Sequence, residues 1–448
     1  MARSEAEQIF RAYDIRGIYG KTLTEDIMER LGRAFSIVVG GHSVVVTRDG
    51  RNSGDSLSRA FMKGLLSGGK DVTFLGVLPL GAGMFHAWKN RMNFAYVTAS
   101  HLGKEWNGLK FFWSTGLGFM EEDLGKVRKA FQKDTPGSAK GSLQEPDNRE
   151  VIQAYIRHLH SKIRPERPIK LTLDTGNGAA GVLSRELFSS AGFDVKAISE
   201  ELDGGFPSRS PDPTTDSLDG LKKNLQGRDA GFAYDGDGDR VVFLDELGQV
   251  VTPEQVSYIM LSELLKGEQG PVIANVETTR TIDSVAQRFG RKVHRVRVGH
   301  NHLMKGASER KACFGMEPSG HYTVPSIFPF DDSLAISYYF ACILSRKKEP
   351  LSELVKEIPV LPFRRSNFDV PDKEKFAVIE SLTQELKRTH ERVTTMDGVR
   401  VELDKGWVLI RPSNTQPMIR LTVEARTEEE LESMMKEFTA LLRKYIKT

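Results

Sequence analysis

The stretch HSVVVTRDGRNSGDSLSRAFMKGLLSGGKDVTFLGV, His42 to Val77, reads as an apolar strand, a polar loop, a helix, a glycine turn and a second strand. Leu57, Phe61 and Leu65 recur at helical spacing and mark the buried stripe of that helix. The same order returns twice. IKLTLDTGNGAAGVLSRELFSSAGFDVKAIS, Ile169 to Ser199, carries its stripe at Leu183, Leu187 and Ala191. GPVIANVETTRTIDSVAQRFGRKVHRVRV, Gly270 to Val298, carries one at Ile282, Val285, Ala286 and Phe289. Each unit closes its helix with glycine, which adopts the left-handed turn at a helix end without a Cβ penalty. Strand, helix, strand in this order implies parallel pairing with right-handed crossovers. Three α/β domains of related build are therefore expected.

The tail has a different pattern. KEKFAVIESLTQELKRTHE, from Lys373, has helical spacing; VTTMDGVRVEL, from Val393, carries Asp397-Gly398, a strong hairpin signal. WVLIRP and PMIRLTVEA follow as strands and TEEELESMMKEFTALLRKYI as an amphipathic helix, which together make a small α+β domain. The expected domains are 1–145, 146–252, 253–362 and 363–448, with linkers near 132–148, Thr252-Pro253 and 359–366, where polar, glycine and proline residues gather. A chain of 448 residues agrees, since one hydrophobic core cannot grow that large.

Whole-chain numbers exclude several function classes. A net charge of +3 is small for this length and gives no case for nucleic acid or an acidic membrane surface. Two cysteines, Cys313 and Cys342, lie far apart without a CxxC pattern, against a disulfide framework or structural zinc and in keeping with a reducing cytoplasm. No run approaches the length of apolar residues that a membrane span requires. A cytoplasmic protein is expected.

Four stretches can carry chemistry. AYDGDGDRVVFLDE, from Ala233, sets Asp235, Asp237 and Asp239 two apart, so that in an extended segment their side chains leave one side. Hard oxygen ligands without His or Cys favour Mg²⁺, Mn²⁺ or Ca²⁺. An EF-hand loop fails in detail: Arg240 stands where the sharp turn needs glycine, and an apolar strand follows. In NFAYVTASHLGKEWNGLKFF, from Asn93, an apolar strand delivers Ser100 and His101 into a polar loop, and Lys110 sits in the next strand. Adjacent residues on extended chain point apart, so His101 is poorly placed as a direct base for Ser100, and no GxSxG elbow is present. GMEPSGHY, from Gly315, offers Glu317, Ser319 and His321 on a tight loop, a set suited to sugar hydroxyls or to an ordinary turn. RPSNTQPMIR gathers Arg411, Ser413, Asn414, Thr415 and Arg420, an anion cradle without the Walker pattern of a nucleotide site.

In this order, from AYDIRG near the start to RPSNTQPMIR near the end, the chain resembles the α-D-phosphohexomutase family. The resemblance implies four domains around a central cleft: three related mixed-sheet α/β domains and the C-terminal α+β domain, each contributing one loop. It implies Ser100 as phosphoserine carrier, and one Mg²⁺ held by Asp235, Asp237 and Asp239 with the seryl phosphate. Arg240 would add fixed positive charge beside the transferring group. The implied substrate is a hexose phosphate of mannose or glucose, isomerised through a bound hexose 1,6-bisphosphate that also serves as activator. Arg411, Ser413, Asn414, Thr415 and Arg420 would hold the phosphate not reacting, and Glu317 and Ser319 the ring hydroxyls. Arg16, His101, Lys110, His300 and His321 match family positions for proton transfer or phosphate contact, with Lys110 and His321 first among candidate acids and bases. Two loops depart from the family pattern: Ser-His-Leu-Gly stands where SHNP is common, and Asn414 and Gln416 where SGTEP is common. Phosphoglucosamine mutase is the alternative within the family. A DxD-type phosphohydrolase, which would release phosphate without charging Ser100, and a non-catalytic calcium module are the alternatives outside it.

Overall fold

The structure, a computed structural model, describes residues 8–137, 139–213, 217–413 and 417–446. In the first domain β1 (Ile15–Ile18), β2 (Ser43–Arg48), β3 (Asp71–Val77), β4 (Asn93–Val97), β5 (Trp106–Phe112) and β6 (Leu143–Gln144) form a sheet in the order β1-β5-β4-β2-β3-β6. β2 pairs in parallel with β3 and β4, and β4 returns antiparallel onto β5. The second domain repeats this with β7 (Lys170–Asp174), β8 (Asp194–Ile198), β9 (Ala230–Tyr234), β10 (Val241–Asp245) and β11 (Val250–Val251): β7 is parallel to β8 and β9, and β9 is antiparallel to β10. The third does so with β12 (Val272–Asn275), β13 (Val293–Val296), β14 (Phe314–Met316) and β15 (Tyr322–Thr323). The expected parallel units are present in all three.

The recurrence places the chemistry. In each unit the third strand leaves its parallel partner and enters a loop before its antiparallel neighbour. Those loops carry Ser100 (β4 to β5), the aspartate triplet (β9 to β10) and Glu317 to His321 (β14 to β15). The carboxyl ends of parallel strands are where α/β sheets form their crevices.

The fourth domain is an antiparallel sheet of β16 (Phe363–Asp369), β17 (Val393–Thr394), β18 (Val399–Leu403), β19 (Gly406–Pro412) and β20 (Met418–Ala425), in the order β16-β20-β19-β18-β17. Helices Asp372–Thr389 and Glu428–Arg443 complete it, and their apolar residues share a core with the sheet. Asp397 and Gly398 both take positive φ, 58° and 105°, as the hairpin signal requires.

One apolar core runs through the first three domains, joining the helices Leu80–Lys89, Arg149–Lys162, Pro253–Leu264 and Ser333–Leu344. The last of these is apolar nearly all round and correspondingly buried. Both cysteines are unpaired and buried: Cys342 within that helix, Cys313 just before β14, its thiol 3.5 Å from the carbonyls of Gly270 and Pro271. The fourth domain keeps its own core and meets the third through Trp407, Leu409 and Val276. No helix among the described residues is long and apolar enough to cross a membrane.

Two sequence expectations need correction. The helix of the second unit is broken into a 3-10 turn, Ala179–Val182, and a short helix, Ser184–Ser189, so Ala191 falls beyond it. Gly178 and Gly181 allow this by close approach: a Cβ there would stand 2.8 Å from the Gly236 carbonyl and 2.2 Å from that of Glu200. Part of the expected 132–148 linker is β6, paired in parallel with β3.

Candidate active site

The strand β4 ends at Val97, and the chain turns so sharply that Ser100 takes a left-handed φ of 53° with its side chain buried. Arg51, fully buried, holds the turn from within. Its Nη2 donates to the carbonyls of Ser100 (2.8 Å) and Leu102 (2.6 Å), and its Nη1 to those of Gly103 (2.6 Å) and Trp106 (3.0 Å). Asp49 accepts from Arg51 Nε at 3.0 Å, and Thr98 Oγ1 donates to Asp49 (2.8 Å) or Asp237 (3.0 Å) while accepting from the Ser100 N–H at 2.8 Å. The serine loop and the aspartate loop are thus tied together. Gly236 permits the approach, since a Cβ there would lie 2.6 Å from the Ser100 carbonyl.

Asp235 to Arg240 form a tight turn, not the extended segment expected from alternation. Gly238 takes φ 74°, and Asp235 Oδ1 accepts the N–H groups of Gly238 (3.0 Å), Asp239 (3.0 Å) and Arg240 (3.1 Å). This curl, more than any alternation, turns the carboxylates inward, where one oxygen from each lies within 4.8 Å of the others. Ser100 Oγ donates to Asp235 Oδ2 at 2.9 Å. Lys110 Nζ bridges Asp237 Oδ2 (2.8 Å) and Asp239 Oδ2 (2.5 Å). The other oxygens of these two, Asp237 Oδ1 and Asp239 Oδ1, are buried without a hydrogen-bond partner among the described residues. Orphaned buried carboxylate oxygens are costly, and an all-oxygen set of this kind fits a hard divalent cation. The acidic cluster can bind a metal.

Electrostatics separate the titratable groups. Burial and the neighbouring Asp239 and Asp237 push Asp235 well above the usual carboxylate range. Asp239 is held well below it, because Lys110 and then His321 outweigh its burial. Lys110 is buried too, yet Asp237 and Asp239 raise it above its ordinary value and keep it charged. His101 lies 3.3 Å from Ser100 Oγ through Nδ1, closer than extended chain would allow, because Ser100 is left-handed. Burial, Arg240 and Arg16 push this imidazole down to about 2, so it remains neutral. It is a poor base for an electrostatic reason, not for the geometric one expected.

The remaining loops close on the same cleft. His321 Nδ1 and His300 Nδ1 both meet Asp331 Oδ2, at 2.7 and 3.1 Å, and Arg240 Nε donates to His321 Nε2 at 3.0 Å. Asp331 raises His300 against the effect of burial. Glu317 Oε1 accepts from Asn275 Nδ2 (3.0 Å) and the Gly299 N–H (2.8 Å), and Oε2 from Ser319 Oγ (3.3 Å). Arg16 pairs with Asp14 at 2.8 Å and reaches the Ala99 carbonyl. Glu277 Oε1 accepts from Arg411 Nε at 2.8 Å.

The cleft so formed has a volume of about 530 Å³. Arg16, Ser100, His101, Lys110, Asp239, Arg240, His300, Glu317, Ser319, His321, Arg411, Ser413 and Arg420 all line it. Asp235 and Asp237 are buried, tied to the cleft through Ser100 and Lys110; Asn414 and Thr415 lie outside the described residues. Sequence reasoning missed Asp49, Arg51, Glu277, Asp331 and Arg365. The run TRDGR held a signal for the first two, an acid and a base at the end of a buried strand.

Four profiles of one family match the chain in order: phosphoglucomutase/phosphomannomutase α/β/α domain I over residues 7–138, domain II over 153–248, domain III over 252–361 and the C-terminal domain over 366–441. The chain is 32% identical to a probable phosphoglucosamine mutase of Methanopyrus kandleri, covering 98% of each. It is 32% identical to the phosphomannomutase/phosphoglucomutase of Pseudomonas aeruginosa, covering 95% of this chain and 93% of that one. A crystal structure of a phosphoglucomutase/phosphomannomutase family protein from Burkholderia thailandensis superposes with a TM-score of 0.90 at 30% identity over 98% of both chains. Four matching domains in order, and relatives 32% identical over nearly the whole chain, place it in the phosphoglucomutase/phosphomannomutase family of phosphohexose mutases.

Proposed function

We propose that the protein interconverts hexose 1-phosphate and hexose 6-phosphate, with mannose or glucose as the sugar, through a phosphorylated Ser100 and a bound hexose 1,6-bisphosphate. The observation that carries this reading is Ser100 Oγ standing 2.9 Å from Asp235 in the cleft that also holds Arg411 and Arg420. In the first half, the free hydroxyl of the sugar attacks the seryl phosphorus, the Ser100 Oγ–P bond breaks, and the hydroxyl proton passes to a group of the cleft. The bisphosphate turns over, and Ser100 Oγ attacks the other phosphorus and gives its proton to the cleft. The sugar O–P bond breaks, and the sugar oxygen takes up the proton stored in the first half as the isomerised monophosphate leaves. A trace of bisphosphate charges Ser100 and so acts as activator.

Asp235, Asp237 and Asp239, with Ser100, would hold one Mg²⁺, whose chemistry is to neutralise phosphoryl oxygens and stabilise the departing alkoxide. The chain's own cations supplement it. Lys110, kept charged by its carboxylates, supplies fixed positive charge beside the transferring group. His321, oriented by Asp331, keeps Nε2 on Arg240 at the cleft wall. Arg411, Ser413 and Arg420, with Asn414 and Thr415 of the same loop, grip the phosphate that is not reacting, and Glu317 and Ser319 hold ring hydroxyls.

Intact-mass analysis of wild type and Ser100→Ala tests the carrier, beside an assay on mannose, glucose and glucosamine phosphates with a trace of bisphosphate. A phosphoryl adduct in wild type alone, with turnover lost in the variant, is expected. Active wild type without an adduct would overturn the reading, and turnover of glucosamine phosphates alone would favour the phosphoglucosamine activity named in the Methanopyrus relative.

A further inference from the structure

Arg365 lies in β16 and belongs to none of the sequence motifs, yet it lines the cleft with Arg411 and Arg420. The sheet register explains why. Arg411 stands opposite Arg420 across β19 and β20, and Arg420 opposite Asn367 across β20 and β16. Residues directly opposite share a face, as do residues two apart on one strand. Arg365 is two from Asn367, so the three arginines project from one face of the fourth domain's sheet. Arg364, the intervening residue, points the other way and pairs with Glu432 at 2.5 Å and Glu428 at 3.8 Å.

Glu277 binds the group from the third domain. Its Oε2 accepts from Arg365 Nη2 at 3.1 Å while its Oε1 accepts from Arg411 Nε, so one carboxylate fixes two guanidiniums side by side. Arg411 Nη1 also lies 4.0 Å from Asp397. Arg365 lines the cleft and keeps 36% of its side chain accessible, whereas Arg411 is nearly buried.

We infer that Arg365 is a substrate-binding residue: with Arg411 and Arg420 it forms a three-arginine seat for the phosphate that is not reacting, and Glu277 positions its guanidinium for that anion. The inference rests on the mutase reading for the identity of the phosphate and on sheet register for the site. Three like charges on one face repel one another, and burial followed by Arg411 and Arg365 already lowers Arg420. A phosphate dianion relieves that repulsion and can accept from several guanidinium edges at once. A single serine- and threonine-bearing turn would supply fewer charges.

Titration calorimetry of mannose 6-phosphate and glucose 6-phosphate into wild type, Arg365→Ala and Arg364→Ala tests this without requiring turnover. Arg365→Ala is expected to raise Kd about tenfold for the better ligand, about 1.4 kcal/mol, with Arg364→Ala within twofold of wild type. In the mutase assay the same change should appear in KM, with kcat at saturation nearly kept. If circular dichroism shows Arg365→Ala unfolded, Arg365→Gln, which keeps a donor for Glu277 but no charge, is read by the same criterion. An unchanged Kd in the Arg365 variant, an equal loss in Arg364→Ala, or a wild type that binds neither sugar phosphate would overturn the inference. A wild type that binds but isomerises nothing would sink the mutase reading and leave the anion seat standing.

Discussion

Arg51 shows what one buried side chain can fix. All its donors are spent inside the protein, four on carbonyls of the serine loop and one on Asp49, and its guanidinium also covers the Phe206 ring at 5.1 Å. Lysine cannot reproduce a planar fork that serves several acceptors at once. Arg51→Lys should therefore lower stability by about 1–3 kcal/mol in urea unfolding, since it keeps a charge for Asp49 but strands buried carbonyls. A loss under about 1 kcal/mol would show that water replaces the fork. At this scale the sequence was legible where chemistry is dense and local: Ser100, Asp239 and the arginines of the last loop line one cleft, and Asp235 and Asp237 are tied to it through Ser100 and Lys110. It was silent on Arg51, Glu277 and Arg365, whose partners across the fold lie 49, 88 and 134 residues away. Charge type alone does not reveal such pairings.

Elements obey two kinds of signal. Stripes at helical spacing located the helices Gly54–Ser67 and Thr281–Arg288 well, because burial of one face dominates there. They failed in the second unit, where small residues let backbone meet backbone and the helix gave way. Close approach of that kind also joins Glu25–Val38 to Gly54–Ser67: a Cβ on Gly32 would stand 2.1 Å from the Phe61 carbonyl, and one on Gly64 2.0 Å from that of Glu29. Gly64→Ala should cost about 1–3 kcal/mol by overpacking. Gly125→Ala, in helix Glu121–Lys133 with nothing within 4 Å of the new methyl, should instead gain about 0.5–1 kcal/mol. Thermal unfolding of the pair decides the point, and equal shifts of the same sign would contradict it.

The whole molecule is three domains on a joint core, with a fourth bound by the small apolar contact of Trp407, Leu409 and Val276 and by polar contacts around it. Arg280 reaches Glu402 at 2.9 Å and the Gly406 carbonyl at 2.7 Å, and Arg400 returns to the Val276 carbonyl. The first and third domains also meet where Tyr13 OH lies 3.1 Å from His302 Nε2. Burial, then Arg297 and Lys305, push His302 down to about 4. An unfolded histidine titrates near 6.5, so below that pH the unfolded chain takes up a proton the folded chain refuses. This site's contribution is full above about pH 6.5 and falls away towards pH 4. Melting of wild type and His302→Gln at pH 7.5 and 5 should show the gap shifting in the variant's favour at the lower pH; a gap that stays constant would rule the titration out. The first three domains were legible because each repeats one strand–helix–strand pattern, and the fourth because its hairpin signal breaks that pattern. The cleft contacts between domains were not, because they join residues that no repeat relates.

Cys313 and Cys342 add a practical corollary, because they come from distant parts of the chain yet sit in one core. Burial pushes their thiols up to about 11 and about 12, so neither offers much thiolate to an alkylating reagent while its surroundings stay shut. Both belong to the apolar core shared by the first three domains, so either thiol is reached only when that core parts. Timed labelling of the two would act as paired clocks for that parting, running together where the core opens as one unit and apart where the third domain's sheet and the helix Ser333–Leu344 open separately.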